Sequence, residues 1–315
     1  MTDPRILVVG AGAVGGFFGG RLAAAGRDVT FLVREGRAGG LARDGLTVRT
    51  PHGDSTIQPR TVTAATLPGP FDLVLLSVKS FGLVSAIADV APAVSTGTLV
   101  LPTLNGMRHL DVLRERFGAD RVLGGACIVA AQLEPDGAVR QLYGSASLTY
   151  GSLGAGSSGD GSASDDRDLT AIDAALRGAG FATRLSPTIE LDMWQKWILL
   201  AAGGALTCLL RGTVGEIAAA PGGTDTARAI VAECVAVATA AGFAPHADHR
   251  AWVEATLTEA GSGFTTSMYR DLLAGAPVEA DAIVGDLIIR AEGFGVAVPT
   301  LRLAFTALGM YRARI

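Results

Sequence analysis

The sequence predicts a doubly wound α/β domain over residues 1–186, followed by an all-α domain over residues 187–315. Three observations carry that expectation. The β-favouring run Ile6-Leu7-Val8-Val9 leads straight into a G-x-G-x-x-G loop and then into a helical stretch. Strand and helix patterns go on alternating through the first half, as a parallel sheet with crossover helices requires. Beyond Pro187 almost every segment has helical periodicity.

The loop defines the first domain. Gly10 permits the tight turn after the strand, Gly12 has no Cβ to block a pyrophosphate, and Gly15 lets the helix pack closely on the sheet. Together with Ala11, Ala13 and Val14 they offer free N–H groups at a helix start, where phosphates bind. In this strand–loop–helix context the pattern is a Rossmann-type dinucleotide signature. Residues 28–33 form the second strand. An NAD site usually ends this strand with an acid for the ribose 2′-hydroxyl, whereas an NADP site offers a cation to the 2′-phosphate. Val33 is followed by Arg34, with Arg37 close behind, which points to NADPH; Glu35 is the residue that argues for NADH.

Short strands are expected at 45–49 and 55–59, and a fully buried strand at 71–78 ends at Lys79. A helix at 83–94 and a strand at 98–102 lead into Asn105-Gly106-Met107, followed by a helix at 109–117 and a strand at 122–131. Ligands on such sheets collect at the carboxyl ends of strands, where Gly10, Arg34, Lys79 and Asn105 all fall. The Gly/Ser-rich segment 151–165 reads as a mobile surface loop within the first domain, because a helix at 169–176 and a strand at 181–185 still complete it. Helices at 189–210, 224–241, 247–260, 267–274, 279–292 and 301–313 make the second domain, and the cleft between domains is expected to hold substrate.

Bulk properties suit a cytoplasmic enzyme. The chain has 315 residues, 49% of them hydrophobic, and a net charge of −4 with no basic tract, which argues against nucleic acid or a membrane surface as a partner. Cys127, Cys208 and Cys234 form no C-x-x-C pair and read as buried small hydrophobes in a reducing compartment. His246 and His249 make an H-x-x-H without a third ligand in view, so no metal is expected. The apolar run 197–210, between Lys196 and Arg211, is shorter than the roughly 20 residues a bilayer helix needs. It reads as a buried core helix.

The chain resembles the ketopantoate reductase family, the NADPH-dependent 2-dehydropantoate 2-reductases of the 6-phosphogluconate-dehydrogenase-like superfamily. The resemblance rests on the glycine loop, on Arg34, and on Leu76-Ser77-Val78-Lys79 and Leu104-Asn105-Gly106-Met107. It continues through Trp194-Gln195-Lys196-Trp197, Thr266-Ser267-Met268-Tyr269-Arg270-Asp271, Glu279 and Gly295-Val296-Ala297-Val298-Pro299. It implies a small 2-oxo acid as substrate and a place in pantothenate biosynthesis.

Reducing a ketone places negative charge on its oxygen, so a proton donor must lie within hydrogen-bond reach. Lys196 begins the apolar run, so its ammonium should be partly desolvated, which favours giving up its proton. The resemblance assigns Lys196 that same general-acid role and places Glu279 near it. A carboxylate there would hold the ammonium in position. Ser267, with Thr266 beside it, resembles the contact to the substrate carboxylate; both also suit a helix N-cap. Asn105 can offer its amide to the nicotinamide and to the reacting carbonyl. Lys79 resembles a cofactor-contacting lysine, and Ala131 a position where backbone approaches the cofactor.

Three departures bear on the substrate. Where the family carries an asparagine one turn after the lysine, bonding the substrate hydroxyl, this chain has Leu200; two further asparagines are replaced by Gly204 and Val214. Losing such a hydrogen bond removes discrimination of about 10⁴ or more. The expected substrate therefore has an apolar distal group. Two other readings stand beside the reductase of 2-oxo acids: an opine- or imine-type reductase, and a non-catalytic NADPH-binding sensor, against which Lys196 and Glu279 together weigh. The apolar C-terminal helices suit either a monomer or a homodimer.

Overall fold

The computed structural model describes residues 3–154 and 166–315. The chain falls into two compact units, Met1–Leu104 with His109–Ile189, and Asn105–Arg108 with Glu190–Ile315.

The first unit runs β1 (Ile6–Val9), α1 (Ala13–Ala24), β2 (Val29–Leu32), α2 (Glu35–Asp44), β3 (Leu46–Thr50), β4 (Gly53–Ile57) and β5 (Arg60–Val62). It continues with β6 (Leu73–Leu76), α3 (Leu83–Val90), β7 (Leu99–Pro102), α4 (Arg108–Phe117), β8 (Leu123–Leu133), β9 (Val139–Ser152), α5 (Asp166–Leu176) and β10 (Ala182–Leu185). Five strands form a parallel sheet in the order β5-β2-β1-β6-β7. Every residue of β1, β2, β6 and β7 is buried, which explains their almost wholly apolar composition, Thr30 of β2 being the exception: both faces are covered. β1 sits centrally, with Val9 opposite Leu32 on one side and Leu76 on the other.

The remaining strands do not extend that sheet, as continuous alternation had suggested. They build a second one, β10-β9-β3-β4, with β8 antiparallel to β9. The sequence reading passed over β9, the longest strand, although Ala146, Leu148 and Tyr150 are buried at its alternate positions. Tyr150 donates to Asp173 of α5 at 2.6 Å, pinning that helix to the sheet. The expected mobile loop at 151–165 falls, from residue 155 on, outside the described residues.

The second unit is helical throughout: α6 (Ile189–Leu210), α7 (Val214–Ala219), α8 (Gly223–Ala240), α9 (Ala247–Thr258), α10 (Ser267–Leu273), α11 (Asp286–Phe294) and α12 (Pro299–Arg312). A π-helical turn, Asp281–Gly285, runs directly into α11. At 22 residues α6 is long enough to cross a bilayer, more than its apolar run alone indicated, yet 67% of its apolar window is buried within the protein. It is a core helix. α7 begins with the capping box that T-x-x-E encodes, Thr213 and Glu216 satisfying each other's backbone. The start of α12 is capped from a distance: the Glu233 carboxylate accepts from the N–H groups of Thr300 and Leu301, each at 2.9 Å.

Candidate active site

The glycine loop has the shape that phosphate binding needs. Gly10 sits at φ +93°, closed to most side chains, and a Cβ on Gly15 would lie 2.0 Å from the Gly10 carbonyl oxygen. A Cβ on Gly12 would meet nothing within 4 Å, so the backbone there borders open space. Gly12 caps α1 without any side-chain hydrogen bond, so the first-turn N–H groups at Ala13 and Val14 have no intrahelical acceptor and the helix dipole lies behind them. These residues fit a dinucleotide pyrophosphate.

Two further segments border the loop. Ser77 donates its N–H to the Val9 carbonyl at 3.0 Å, carrying the chain past Gly10, and Lys79 then stands exposed at the start of a short turn, its Nζ 6.0 Å from the Phe81 ring. Arg34 lies just past β2 as the N-cap residue of α2, exposed and without an acidic partner among the described residues, and Glu35 opens α2. Arg37 behaves differently from a second surface cation. Its Nε donates to the Ala11 carbonyl at 3.2 Å and its Nη2 to the Gly137 carbonyl at 2.9 Å, so it braces the loop. Ala131 lies half-buried in β8 opposite Gln141, at a register irregularity.

In the second unit three segments meet. Lys196 is half-buried on α6, between Gln195 and the fully buried Trp197. The Trp197 indole N–H donates to the Ile283 carbonyl at 2.8 Å, inside the π-helical turn. Glu279, also half-buried, stands just before that turn, and its carbonyl accepts from the Ile283 N–H at 3.1 Å. The third segment is the Asn105-Gly106 turn, which belongs to this unit although the sequence places it after a strand of the first. Gly106 adopts φ +80°, and a Cβ there would lie 2.2 Å from the Ala282 carbonyl oxygen and 3.9 Å from the Trp197 indole nitrogen. Arg290 completes the arrangement, its guanidinium 5.7 Å from the Trp197 ring and 3.1 Å from the Asp286 carboxylate.

Thr266 and Ser267 part company. Thr266 is buried and caps α10, accepting from the Tyr269 N–H at 3.3 Å and lying 3.3 Å from the Thr207 hydroxyl, while Ser267 is exposed. Among the three positions where the resemblance implies asparagine, Leu200 is half-buried; Gly204 lies beneath the Met268 side chain and Val214 is fully enclosed. All three cysteines are buried, and burial pushes the Cys208 thiol up to about 12. His249 sets its Nε2 3.0 Å from the Gln195 carbonyl.

The sequence singled out Arg37 only as a second cation behind Arg34 and Trp197 only as part of a family motif; it gave no sign of their bonds or of the π turn. The bonds of Trp197 and Arg37 are long-range, and only the bulk of Trp197 in an apolar helix hints at a buried N–H that needs a partner.

A dinucleotide-binding α/β unit followed by a helical unit bearing a lysine and a carboxylate defines an oxidoreductase. Residues 6–155 match the model of ketopantoate reductase PanE/ApbA and residues 188–312 that of its C-terminal part. The chain belongs to the ketopantoate reductase family. It is 32% identical over 309 residues to the uncharacterized oxidoreductase YkpB of Bacillus subtilis, covering 98% of this chain and 99% of that one. A 2-dehydropantoate 2-reductase of Halobacterium salinarum is 29% identical over 302 residues, covering 95% of each chain. The crystal structure of 2-dehydropantoate 2-reductase from Geobacter metallireducens superposes with a TM-score of 0.85 at 28% identity, over 97% of this chain and 99% of that one.

Proposed function

We propose that this oxidoreductase reduces a small 2-oxo acid to the 2-hydroxy acid with NADPH. Residues 1–186 are read as the cofactor domain and 187–315 as the substrate domain. The observation that carries the reading is the meeting of the segments bearing Asn105, Lys196 and Glu279 around one buried tryptophan. When bound, NADPH supplies a hydride to the carbonyl carbon. Lys196 gives a proton to the carbonyl oxygen as charge builds there, which a positioned acid typically accelerates by about 10²–10⁴-fold. Glu279 keeps the ammonium oriented, and the Asn105 amide holds the carbonyl.

Arg34, exposed and without an acidic partner among the described residues, favours the 2′-phosphate and hence NADPH over NADH. The loop from Gly10 to Gly15 holds the pyrophosphate, with Lys79 and Ala131 beside the cofactor. Ser267 and the Thr266 segment meet the substrate carboxylate. Leu200 presents an apolar group where the family resemblance implies a hydroxyl-binding asparagine. The substrate therefore has an apolar distal group. NADPH oxidation followed over ketopantoate, 2-oxoisovalerate and other 2-oxo acids tests this directly. The expected result is turnover with NADPH well above NADH and no strong preference for ketopantoate. A protein that binds NADPH and oxidises it with none of these acids would refute the reading.

A further inference from the structure

We infer that Trp197 is a positioning residue for the reaction, acting through its indole N–H on the turn that carries Glu279. The inference rests on the reading of Lys196 as proton donor and deepens it. Trp197 follows Lys196 immediately on α6, so the two side chains leave the helix about 100° apart; one is half-buried and the other fully enclosed. An enclosed indole N–H needs an acceptor. It finds the Ile283 carbonyl at 2.8 Å, within the π turn Asp281–Gly285. Such turns interrupt the regular α-helical ladder and recur at functional sites.

That turn is tied to both other segments. Backward, the Ile283 N–H closes on the Glu279 carbonyl at 3.1 Å, so the backbone that Trp197 holds is the backbone that sets Glu279. Sideways, the Asn105-Gly106 turn packs against Ala282 so closely that a Cβ on Gly106 would fall 2.2 Å from its carbonyl oxygen. Arg290, paired with Asp286, also sits over the indole with its guanidinium 5.7 Å from the ring, a further restraint on it. One indole therefore fixes the mutual register of the three segments that carry Lys196, Glu279 and Asn105. Trp197 is offered to neither substrate nor cofactor. Its contribution is geometric, and small misplacements of reacting groups lower rates steeply, by about 10²-fold for 1 Å.

The test replaces Trp197 by Phe in the full-length protein, which keeps a ring and removes the N–H. The expected result is a kcat lowered about tenfold or more with the KM for NADPH within about twofold, consistent with displaced reacting groups. The kinetic isotope effect on kcat with 4-deuterated NADPH should rise, because chemistry becomes the slow step. Backbone amide exchange across 279–285 should quicken in the cofactor-free protein. A wild-type kcat and isotope effect overturns the inference, as does a kcat that merely tracks the folded fraction with the isotope effect unchanged. Should Trp197→Phe not fold, Gly106→Ala displaces the same turn from its other side and must reproduce the lowered kcat and raised isotope effect; wild-type values there overturn the inference equally. Lys196→Ala in parallel separates the two claims: turnover surviving it refutes the proton-donor reading, whereas turnover abolished by it beside a normal Trp197→Phe refutes only the positioning role.

Discussion

Arg37 holds Ala11: its Nε donates to the Ala11 carbonyl oxygen at 3.2 Å, across 26 residues of sequence, while Nη2 of the same guanidinium donates to Gly137 at 2.9 Å. The glycine loop is thereby tied to the turn between β8 and β9. Burial lowers the Arg37 pKa from its ordinary value, but a guanidinium stays charged throughout the working range. Hydrogen bonds to a charged donor contribute about 1.5–3 kcal/mol each. Arg37→Lys keeps the charge but loses the planar fork that reaches two carbonyls. The KM for NADPH is expected to rise about tenfold with kcat little changed, as steady-state kinetics would show.

Glu233 contributes to folding rather than to chemistry. Its two oxygens accept the first free N–H groups of α12, at Thr300 and Leu301, where Pro299 cannot donate and the helix dipole favours an anion. Removing a cap of this kind costs about 0.5–2 kcal/mol. Glu233→Ala should lower the urea midpoint accordingly, while NADPH binding in the other unit stays at the wild-type value.

His249 gives the protein an acid-sensitive contact. Burial disfavours its imidazolium and lowers its pKa from 6.5, an effect that outweighs the Gln195 carbonyl; His246 adds to the lowering. The native state then binds fewer protons than the unfolded chain. The stabilisation this provides is fully present above about pH 6.5 and is lost as pH falls below it. Denaturation at pH 7.5 and 5.5 should show a smaller acid loss for His249→Gln than for the wild type. An equal loss in both would place the acid sensitivity elsewhere.

Leu200 stands half-buried one helical turn beyond Lys196, where the family resemblance implies an asparagine. Restoring an amide there should restore recognition of a substrate hydroxyl. Leu200→Asn is expected to raise kcat/KM for ketopantoate relative to 2-oxoisovalerate by about tenfold or more. An unchanged ratio would mean that this position does not touch the distal group.

Local chemistry made most of this molecule readable in its sequence. The strand β1 and its glycines declare themselves because turn, phosphate access and close packing each demand a specific residue type within ten positions. Long amphipathic and apolar runs likewise announced α6, α8 and α12 nearly to their ends. What escaped depends on distant partners. β9 carries Gly144 and several small polar residues, and its alternation becomes meaningful only once β8, β3 and β10 flank it. The split into two sheets, the bracing of Ala11 by Arg37 and the seating of Gly106 on Ala282 all join residues from 26 to 176 positions apart. No periodicity in the chain encodes such pairs. Among site residues, Lys196 could be singled out because it stands at the head of an apolar run, but the tryptophan beside it looked like ordinary core until its N–H was seen to have a partner.

The proton-donor role proposed for Lys196 is the central claim. Lys196→Ala should lower kcat for NADPH-dependent reduction of a 2-oxo acid by at least about 10²-fold, with the dissociation constant for NADPH unchanged. A variant that turns over within a few-fold of the wild type would contradict it.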